Sequence, residues 1–264
     1  MPQGTVLGPT LFLLFINDLP KQVSSHTRLF ADDCLLYRIT NNESDSKELQ
    51  NDLSNLEHWE SEWQMNFNPD KCYVLNISKK SKTNLFKYKL HNQILETVPD
   101  SKYLGVTISN DLDWGQHINN VTSKANKTLG FLRRNMKHCS RKVKNLTYTS
   151  LVRPVLEYSS PVWDPYKQNQ INQLEQIQRK AARYVFNEYT DRSPGAVTNM
   201  INNLKWESLL SRRTKAKLVL IYKINSGLVE LKNDMLTQSD RRTRGQHKFR
   251  QVYTNKDYYR FSFF

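Results

Sequence analysis

The stretch RLFADDCLLYR, residues 28–38, places two adjacent aspartates between two short apolar segments. Each apolar segment is too short for a helix, and aspartate is common in tight turns, so the pattern predicts a strand–turn–strand hairpin. Asp32 and Asp33 would then lie at the hairpin tip. A divalent cation bound there would turn their mutual repulsion into attraction, and Mg²⁺ prefers carboxylate oxygens. The alternative is that both are ordinary turn residues, because short motifs often arise by chance.

The sequence on either side predicts a mixed fold. Before the hairpin, LGPTLFLLFINDLP predicts a buried helix that starts near Pro9 and ends before Pro20. After it, apolar residues at helical spacing predict a helix over about residues 46–65. The segments NPDKCYVLNIS, YKLHNQILE and KYLGVTIS predict a turn followed by a strand and then further strands around tight turns.

From about residue 114 the pattern becomes helical. Two apolar stripes predict long helices, and a third helical stretch runs from Trp206 to about Ile224, with Gly227 as its stop. The stripes consist of Ile118, Val121, Ala125, Leu129, Leu132 and Met136, and of Ile171, Leu174, Ile177, Ala181 and Val185. Because strands dominate residues 20–110 and helices dominate the rest, the sequence predicts an α+β fold with a helical appendage.

Charge is distributed unevenly along the chain. Thirty-nine Lys and Arg oppose twenty-five Asp and Glu, a formal net charge of +14, which favours a polyanionic partner. Residues 114–156 contain no acid, so we predict that their helices contact nucleic-acid phosphates; the alternative is a solvated helix face. The nine cations there are Lys124, Lys127, Arg133, Arg134, Lys137, Arg141, Lys142, Lys144 and Arg153. His117 and His138 are isolated, so we expect surface or helix-end residues and not ligands.

Cysteine spacing and the lack of a secretory or membrane-spanning segment in the sequence predict the cellular compartment. The three cysteines are widely spaced, with no Cys-x-x-Cys pair, which favours a reducing, intracellular environment. The apolar run TVLGPTLFLLFI is too short and too interrupted to span a bilayer, and it lacks the basic start of a secretory signal. We therefore expect a protein of the nucleus or cytoplasm, with no membrane partner.

The order of the motifs resembles a known family. A Pro-Gln-Gly turn, a hydrophobic helix and then Phe-Ala-Asp-Asp resemble the palm of reverse transcriptases. The stretch PQGTVLGPTLFLLFINDLP followed by FADD closely resembles the non-LTR, LINE-type retrotransposon enzymes, especially those of jockey-like lineages. NPDKC at 68–72, KYLGVTIS at 102–109 and RPVLEYSSPVWDP at 153–165 resemble further segments of the same family.

The resemblance implies a fold and an activity. It implies an RNA-directed DNA polymerase that joins nucleotides with two Mg²⁺ or Mn²⁺ ions, acting on an RNA template, a DNA primer and dNTP. Residues 1–112 would form a partial palm with an antiparallel sheet, residues 113–190 a helical thumb-like domain, and residues 191–264 a helical carboxyl-terminal region with a basic tail.

Roles for single residues also follow from the resemblance. Asp32 would be the principal metal ligand with Asp33 supporting it, and Lys71 would lie near the triphosphate and donate a proton to pyrophosphate. The thumb-like helices would hold the duplex backbone through the basic residues named above. The remaining implied contacts are Gln3 and Gly4 to nucleotide and template backbone, Phe30 to the primer end, and Tyr103, Leu104 and Gly105 as a primer grip.

The family pattern also includes a third carboxylate on a strand before the Pro-Gln-Gly turn, and no acid in this sequence matches it. We therefore expect a fragment of a retrotransposon reading frame, truncated at both ends, that binds metal weakly and has no template-directed activity alone. The alternative is a non-catalytic nucleic-acid-binding protein derived from a retroelement. In that case the basic helices would act and the hairpin would be structural only.

Overall fold

The structure is a computed structural model that describes residues 4–78 and 86–229. The helices are α1 (Leu7–Ile16), α2 (Glu43–Trp63), α3 (Gly115–Asn135), α4 (Arg141–Thr147), α5 (Arg153–Glu157), α6 (Ser160–Trp163), α7 (Gln168–Phe186), α8 (Ala196–Asn203) and α9 (Leu209–Asn225). The strands are β1 (His26–Phe30), β2 (Asp33–Tyr37), β3 (Tyr73–Leu75), β4 (Lys89–Leu90), β5 (Gln93–Ile94), β6 (Glu96–Val98), β7 (Asp100–Tyr103) and β8 (Val106–Ser109). Short 3₁₀ turns occupy Leu19–Gln22 and Pro69–Lys71, and a π-helical stretch occupies Tyr148–Val152.

The described chain forms two compact units. The first, here called the hairpin unit, contains the residues up to 101 together with 109–111. The second, the helical unit, contains 102–108 and the residues from 112 onward. This mixture of helices and small sheets agrees with the expected α+β class. The predicted division into 1–112, 113–190 and 191–264 stays a prediction, and its last part extends beyond the described residues.

The strands of the described residues pair two by two and do not form one sheet. The β1–β2 and β4–β5 ladders are antiparallel hairpins, as the sequence predicts. The β3–β6 ladder is parallel, with Tyr73 opposite Glu96, so the expectation of an antiparallel sheet is wrong at this ladder. The β4–β5 hairpin lies between these two strands in the chain and returns β6 alongside β3 in the same direction. Local alternation of side chains does not encode such a non-local pairing.

Two small apolar clusters hold the hairpin unit together. One joins α1, the following 3₁₀ turn and α2 through Ile16, Leu19, Leu56 and Trp59. The other surrounds the buried residues of the β4–β5 region, namely Tyr88, Leu90 and Leu95. α1 contributes only Ile16 as a buried residue, and Leu7, Leu13 and Leu14 are more than half exposed. The helix is present, but the expectation that it is buried is wrong.

α2 begins three residues before its predicted start. Asn42 caps it by accepting a hydrogen bond from the backbone N–H of Asp45, and the Asp45 carboxylate accepts in return from the N–H of Asn42. This reciprocal pair satisfies N–H groups that a helix start leaves without a partner. The capping residues are polar and lie outside the apolar stripe, which is why hydrophobic spacing alone places the start too late.

The helical unit is built around the two predicted stripes. Ile118, Ala125, Leu129 and Leu132 of α3 are buried against the α7 stripe, and together they form one continuous core. Trp163 is completely buried and packs in that core. Gly227 follows α9 with φ +70°, so the predicted helix stop is confirmed.

Across residues 4–78 and 86–229, no helix combines the length and the apolarity that are needed to cross a membrane. α1, the most apolar helix by composition, has ten residues.

Candidate functional site

The acidic hairpin is formed as predicted, but only Asp32 of the two aspartates lies in its turn. The two-residue turn is Ala31-Asp32, and Asp33 is the first residue of β2, opposite Phe30. Ala31 has φ +52°, in the left-handed region that residues with a Cβ rarely adopt. Both carboxylates are on exposed residues, and Phe30 is 62% exposed. The aspartates therefore avoid the desolvation that flanking apolar residues would have caused in a buried turn.

The base of this hairpin is clamped to α2 by one carboxylate. Asp52 is buried, and its two oxygens accept hydrogen bonds from the backbone N–H groups of Ser24 and Ser25, each at 2.8 Å. Arg38, at the other end of the hairpin, donates to Ser24 Oγ at 2.9 Å and pairs with Glu48. Burial raises the pKa of the Asp52 carboxyl, but the hydrogen bonds from Ser25 and Ser24 outweigh it, so the pKa lies below its usual value. The clamp fixes where β1 starts and hence the position of the hairpin.

Lys71 lies in a short turn that neighbours the hairpin. Asn68 Oδ1 accepts from the N–H of Asp70, and Cys72 N–H donates to Pro69 O, so the turn closes on itself and leaves Lys71 exposed. Packing around its sulfur, and secondly the nearby Cys72 thiol, raise the pKa of Cys34 to about 11, although part of Cys34 remains exposed. Cys72, the residue after Lys71, therefore lies near Cys34 of β2.

The donor set for a metal ion is partial. In the part of the chain that the structure describes, no three His, Cys, Asp or Glu side chains form a group that could hold a metal ion. Asp32 and Asp33 supply the oxygen ligands that Mg²⁺ prefers, but no third acidic side chain accompanies them among these residues. The pair therefore fits a divalent cation in chemistry but not in ligand number.

The predicted nucleotide contacts lie partly outside the described residues. Gln3 is outside them, and Gly4 is the first residue that the structure describes. Gly4 has φ +88°, and a Cβ added there would have no atom within 4 Å. A side chain at this position would therefore be disfavoured by the backbone conformation and not by crowding.

The predicted primer-grip residues form a tight turn that belongs to the helical unit. Tyr103 ends β7, and the two turn residues Leu104 and Gly105 have φ +45° and +83°. Positive φ at both central residues is the pattern of the type I′ hairpin turn, whose twist matches that of the flanking strands. The segment 102–108 therefore presents a well-defined turn.

The predicted phosphate contacts cluster on α3, α4 and the loop between them. We call the exposed members of this set the basic surface: Lys124, Lys127, Arg133, Arg134, Lys137, Arg141 and Lys142. Arg133 stacks on Tyr189 at 4.0 Å and Arg141 on Phe186 at 4.2 Å, measured from the guanidinium carbon to the ring centroid. Such stacking holds a guanidinium in place while leaving its outer edge available.

Two basic side chains depart from the predicted arrangement. Lys144 is 4% exposed, with its ammonium 5.7 Å from the Tyr184 ring centroid, so the expectation that it contacts backbone phosphate from the surface is wrong. Lys144 is the buried residue of the short helix α4, and its spacing along the sequence does not predict this burial. Arg153 forms an ion pair with Glu157 at 3.9 Å.

Sequence reasoning missed a buried histidine. His117 is 2% exposed, and its Nδ1 accepts a hydrogen bond from the N–H of Thr107 at 3.1 Å. Burial lowers the pKa of His117, which favours the neutral imidazole that can accept this bond. The expectation of a surface residue is therefore wrong, although His117 does lie in the first turn of α3. The signal was its neighbour Ile118, which begins the apolar stripe, and its spacing of four from Val121.

A buried ion pair in the helical unit was also missed. Arg213 is completely buried, and its Nε donates to Asp164 at 2.7 Å, while Lys217 pairs with the same carboxylate. Arg213 is one of several cations in α9, and its position among them does not distinguish it.

Comparison with known proteins relates the chain to one family. Residues 1–108 match the family described as reverse transcriptase (RNA-dependent DNA polymerase). The probable RNA-directed DNA polymerase from transposon BS of Drosophila melanogaster is 28% identical over 202 residues, covering 70% of this chain and 22% of the relative. The RNA-directed DNA polymerase from mobile element jockey of the same species is 26% identical over 200 residues, covering 70% of this chain and 21% of the relative.

A third relative matches the chain with similar identity and coverage. The probable RNA-directed DNA polymerase from transposon X-element of Drosophila melanogaster is 26% identical over 199 residues, covering 70% of this chain and 21% of the relative. The chain thus spans about a fifth of the length of these curated relatives. No solved structure matches the chain. The matches confirm that the chain is related to the reverse transcriptases of non-LTR, jockey-like retrotransposons.

Proposed function

We propose that this chain contributes to RNA-directed DNA synthesis by a retrotransposon enzyme, supplying an acidic hairpin to the polymerase site and a cationic surface to the template–primer duplex. The observation that carries the proposal is the exposed Asp32–Asp33 pair on a hairpin whose base is fixed by Asp52. A fixed hairpin presents both carboxylates at one place without the entropy loss of ordering a mobile loop.

The hairpin residues have distinct roles in this proposal. Asp32 is the principal ligand for Mg²⁺ or Mn²⁺ and Asp33 supports it; when bound, such ions activate the attacking hydroxyl and neutralise the leaving group. The exposed ring of Phe30, opposite Asp33 in the ladder, packs near the primer end. Gln3 and Gly4 contact the incoming dNTP and the template backbone.

Lys71 serves the leaving group. The primer 3′-hydroxyl gives its proton to a water molecule and its oxygen bonds to the α-phosphorus of the dNTP, and the bond from that phosphorus to pyrophosphate breaks. The Lys71 ammonium donates a proton to the departing pyrophosphate oxygen. Its support is the exposed position of Lys71 in a closed turn, next to Cys72, which lies near Cys34 of β2.

The basic surface holds the duplex through its phosphates. Seven exposed cations without an acid between residues 114 and 156 suit an RNA–DNA backbone and read no sequence. In this proposal residues 1–112 act as a partial palm, 113–190 as a thumb and 191–264 as a further helical region, inside the cell in the nucleus or cytoplasm.

The first experiment tests the hairpin by Mn²⁺ binding to the whole chain, followed by the electron paramagnetic resonance signal of free Mn²⁺. We expect weak binding, and replacing Asp32 and Asp33 by Ala should abolish it. The matched control replaces Glu62 and Glu96, two exposed acids of the hairpin unit, by Ala and removes the same charge. Equal loss in both variants would show only general charge attraction and would contradict the site.

A second experiment tests the basic surface with an RNA–DNA duplex carrying a recessed primer. Replacing Lys124, Lys127 and Lys142 by Gln should weaken binding and reduce the dependence of log K on log salt, by up to about 0.9 for each lost B-DNA-type phosphate contact. The control replaces Lys87, Lys205 and Lys223, all outside the basic surface. An unchanged slope in the first variant would overturn the assignment.

A non-catalytic nucleic-acid-binding role is the second candidate. It is favoured by one observation, the absence of a third metal ligand among the described residues beside a well-formed basic surface. In either case we propose that the chain alone does not extend a primer. Duplex binding that survives loss of Asp32 and Asp33, in a chain that binds no Mn²⁺, would select this second role. Primer extension above the Asp32→Ala, Asp33→Ala background would refute both the non-catalytic role and the proposed inactivity of the chain alone.

A further inference from the structure

The turn Leu104-Gly105 is held from outside by an aromatic side chain that the proposed function does not use. Tyr158, in the corner between α5 and α6, donates a hydrogen bond from its hydroxyl to Leu104 O at 3.0 Å. A Cβ added to Gly105 would lie 3.0 Å from Tyr158 Cε1, so the ring is packed directly against the turn. Two features therefore favour glycine at position 105: its φ of +83° and the close contact with the Tyr158 ring.

Tyr158 is itself held in place. The indole N–H of Trp163, which is completely buried, donates to Tyr158 O at 2.7 Å. Tyr158 N–H donates to Pro154 O at 3.0 Å, and the next residue, Ser159, has φ +51°. The corner thus has backbone bonds on both sides of Tyr158, although 57% of the residue is exposed.

The same tryptophan reaches the second strand of the hairpin through His117. The Trp163 and His117 rings meet edge to face with 4.9 Å between their centroids, and His117 Nδ1 accepts from the N–H of Thr107 in β8. A closed chain of contacts therefore runs from the turn to Tyr158, Trp163 and His117 and back to the hairpin two residues beyond the turn. All of these residues belong to the helical unit.

We propose that Tyr158 is a positioning residue for the primer grip, with Trp163 and His117 as its support. The motif YSSPVW would then act on the primer end through the turn, without touching nucleic acid itself. This inference rests on the proposed function, because it assumes that residues 103–105 contact the primer.

The first test measures the support of the turn without any ligand. Hydrogen exchange of the whole chain, followed by mass spectrometry over residues 100–110, should become about fivefold faster at the turn in Tyr158→Phe, as expected for the loss of one hydrogen bond. Tyr222→Phe is the matched control, because Tyr222 is 66% exposed and its hydroxyl has no hydrogen bond in the described chain. Unchanged exchange in Tyr158→Phe would overturn the inference.

The second test measures the primer end. A duplex with 2-aminopurine as the terminal primer base reports stacking at that base, while fluorescence anisotropy reports total affinity. We expect Tyr158→Phe to change the 2-aminopurine signal and leave affinity within about twofold, because the basic surface supplies most of the binding. A merely structural residue would change both measurements or neither.

The outcomes separate the inference from the proposed function. If the unaltered chain produces no 2-aminopurine response, the primer contact of the turn is contradicted and both fail. If the unaltered chain responds and Tyr158→Phe responds identically, only the role of Tyr158 is overturned. A double-mutant cycle of Gly105→Ala with Tyr158→Ala adds a second measure; non-additive exchange rates support the contact, and additive ones contradict it.

Discussion

The helical unit is built around one core of fifteen buried residues, whereas the hairpin unit has one cluster of four and another of three. In the hairpin unit, two buried carboxylates add polar contacts to these small clusters. Asp52 holds the hairpin base, and buried Glu60 accepts a hydrogen bond from Phe67 N–H, with its other carboxylate oxygen 2.9 Å from His91 Nε2. The unit that presents the acidic hairpin therefore depends on a few directional bonds. The unit that presents the basic surface depends on apolar burial, which is spread over many residues.

The largest expected effect tests the continuous core. Leu174→Ala removes a completely buried side chain at the centre of the helical unit and should lower the free energy of unfolding by about 3–5 kcal/mol. Leu11→Ala in α1 is the control, because Leu11 is 45% exposed, and it should cost less than about 1 kcal/mol. Urea unfolding followed by circular dichroism measures both. Equal losses in the two variants would show that side-chain burial does not set the cost of truncation here.

The second effect tests the polar clamp of the hairpin unit. Asp52→Asn places an amide donor against the N–H groups of Ser24 and Ser25 and should destabilise the β1–β2 hairpin by about 2 kcal/mol. Local stability is measured by hydrogen exchange in residues 24–38. Glu62→Gln in the same helix, an exposed residue, should leave exchange unchanged.

The clamp also predicts a pH dependence. Because the pKa of Asp52 is lowered from 3.8 in the folded chain, its contribution is complete above that value and is lost as pH falls through the lower, folded pKa. The unaltered hairpin should therefore lose protection at acid pH more steeply than Asp52→Asn does. Parallel acid profiles of the two proteins would show that Asp52 is not the clamp.

The smallest effect tests backbone strain at the acidic turn. Ala31→Gly relieves the left-handed φ of +52° and should stabilise the hairpin by up to about 1 kcal/mol, reduced by the greater freedom of glycine when unfolded. Hydrogen exchange of residues 29–37 measures the gain. Ala196→Gly at the start of α8 is the control for the substitution itself. It should destabilise α8, which is measured by hydrogen exchange in that helix. A loss of protection in Ala31→Gly would indicate that the Cβ of Ala31 packs usefully.

The sequence predicted the local elements better than their partners. The acidic hairpin, α1, both apolar stripes and the stop at Gly227 follow from residue spacing and turn chemistry, and all are present. The parallel pairing of Tyr73 with Glu96 could not be predicted, since it depends on where a distant strand returns.

For the candidate site, too, the sequence predicted local features better than contacts between distant residues. Exposure of Asp32 and Asp33 and the closed turn at Lys71 follow from the local motifs. Burial of Lys144 depends on which side of α4 meets a neighbouring element, and the sequence spacing does not reveal that. Burial of His117 was indicated by its spacing of four from Val121 in the α3 stripe. The Tyr158 contact joins residues 54 positions apart, so no local pattern indicates it.

The two-stranded ladders have a practical consequence for handling the protein. Within the described chain each strand has one hydrogen-bonded strand neighbour, so β3 and β5 each have a row of backbone donors and acceptors that no described strand pairs with. β4 differs, because the Gln50 side chain bonds the N–H and the carbonyl oxygen of Lys89. Ile94 on β5 and Tyr73 on β3 are more than half exposed beside such rows. Open strand sides with apolar neighbours are the places where copies of a chain associate by edge-to-edge pairing. Concentrated samples should therefore self-associate through these ladders first, and a lysine at position 94 would be the first change to make for solubility.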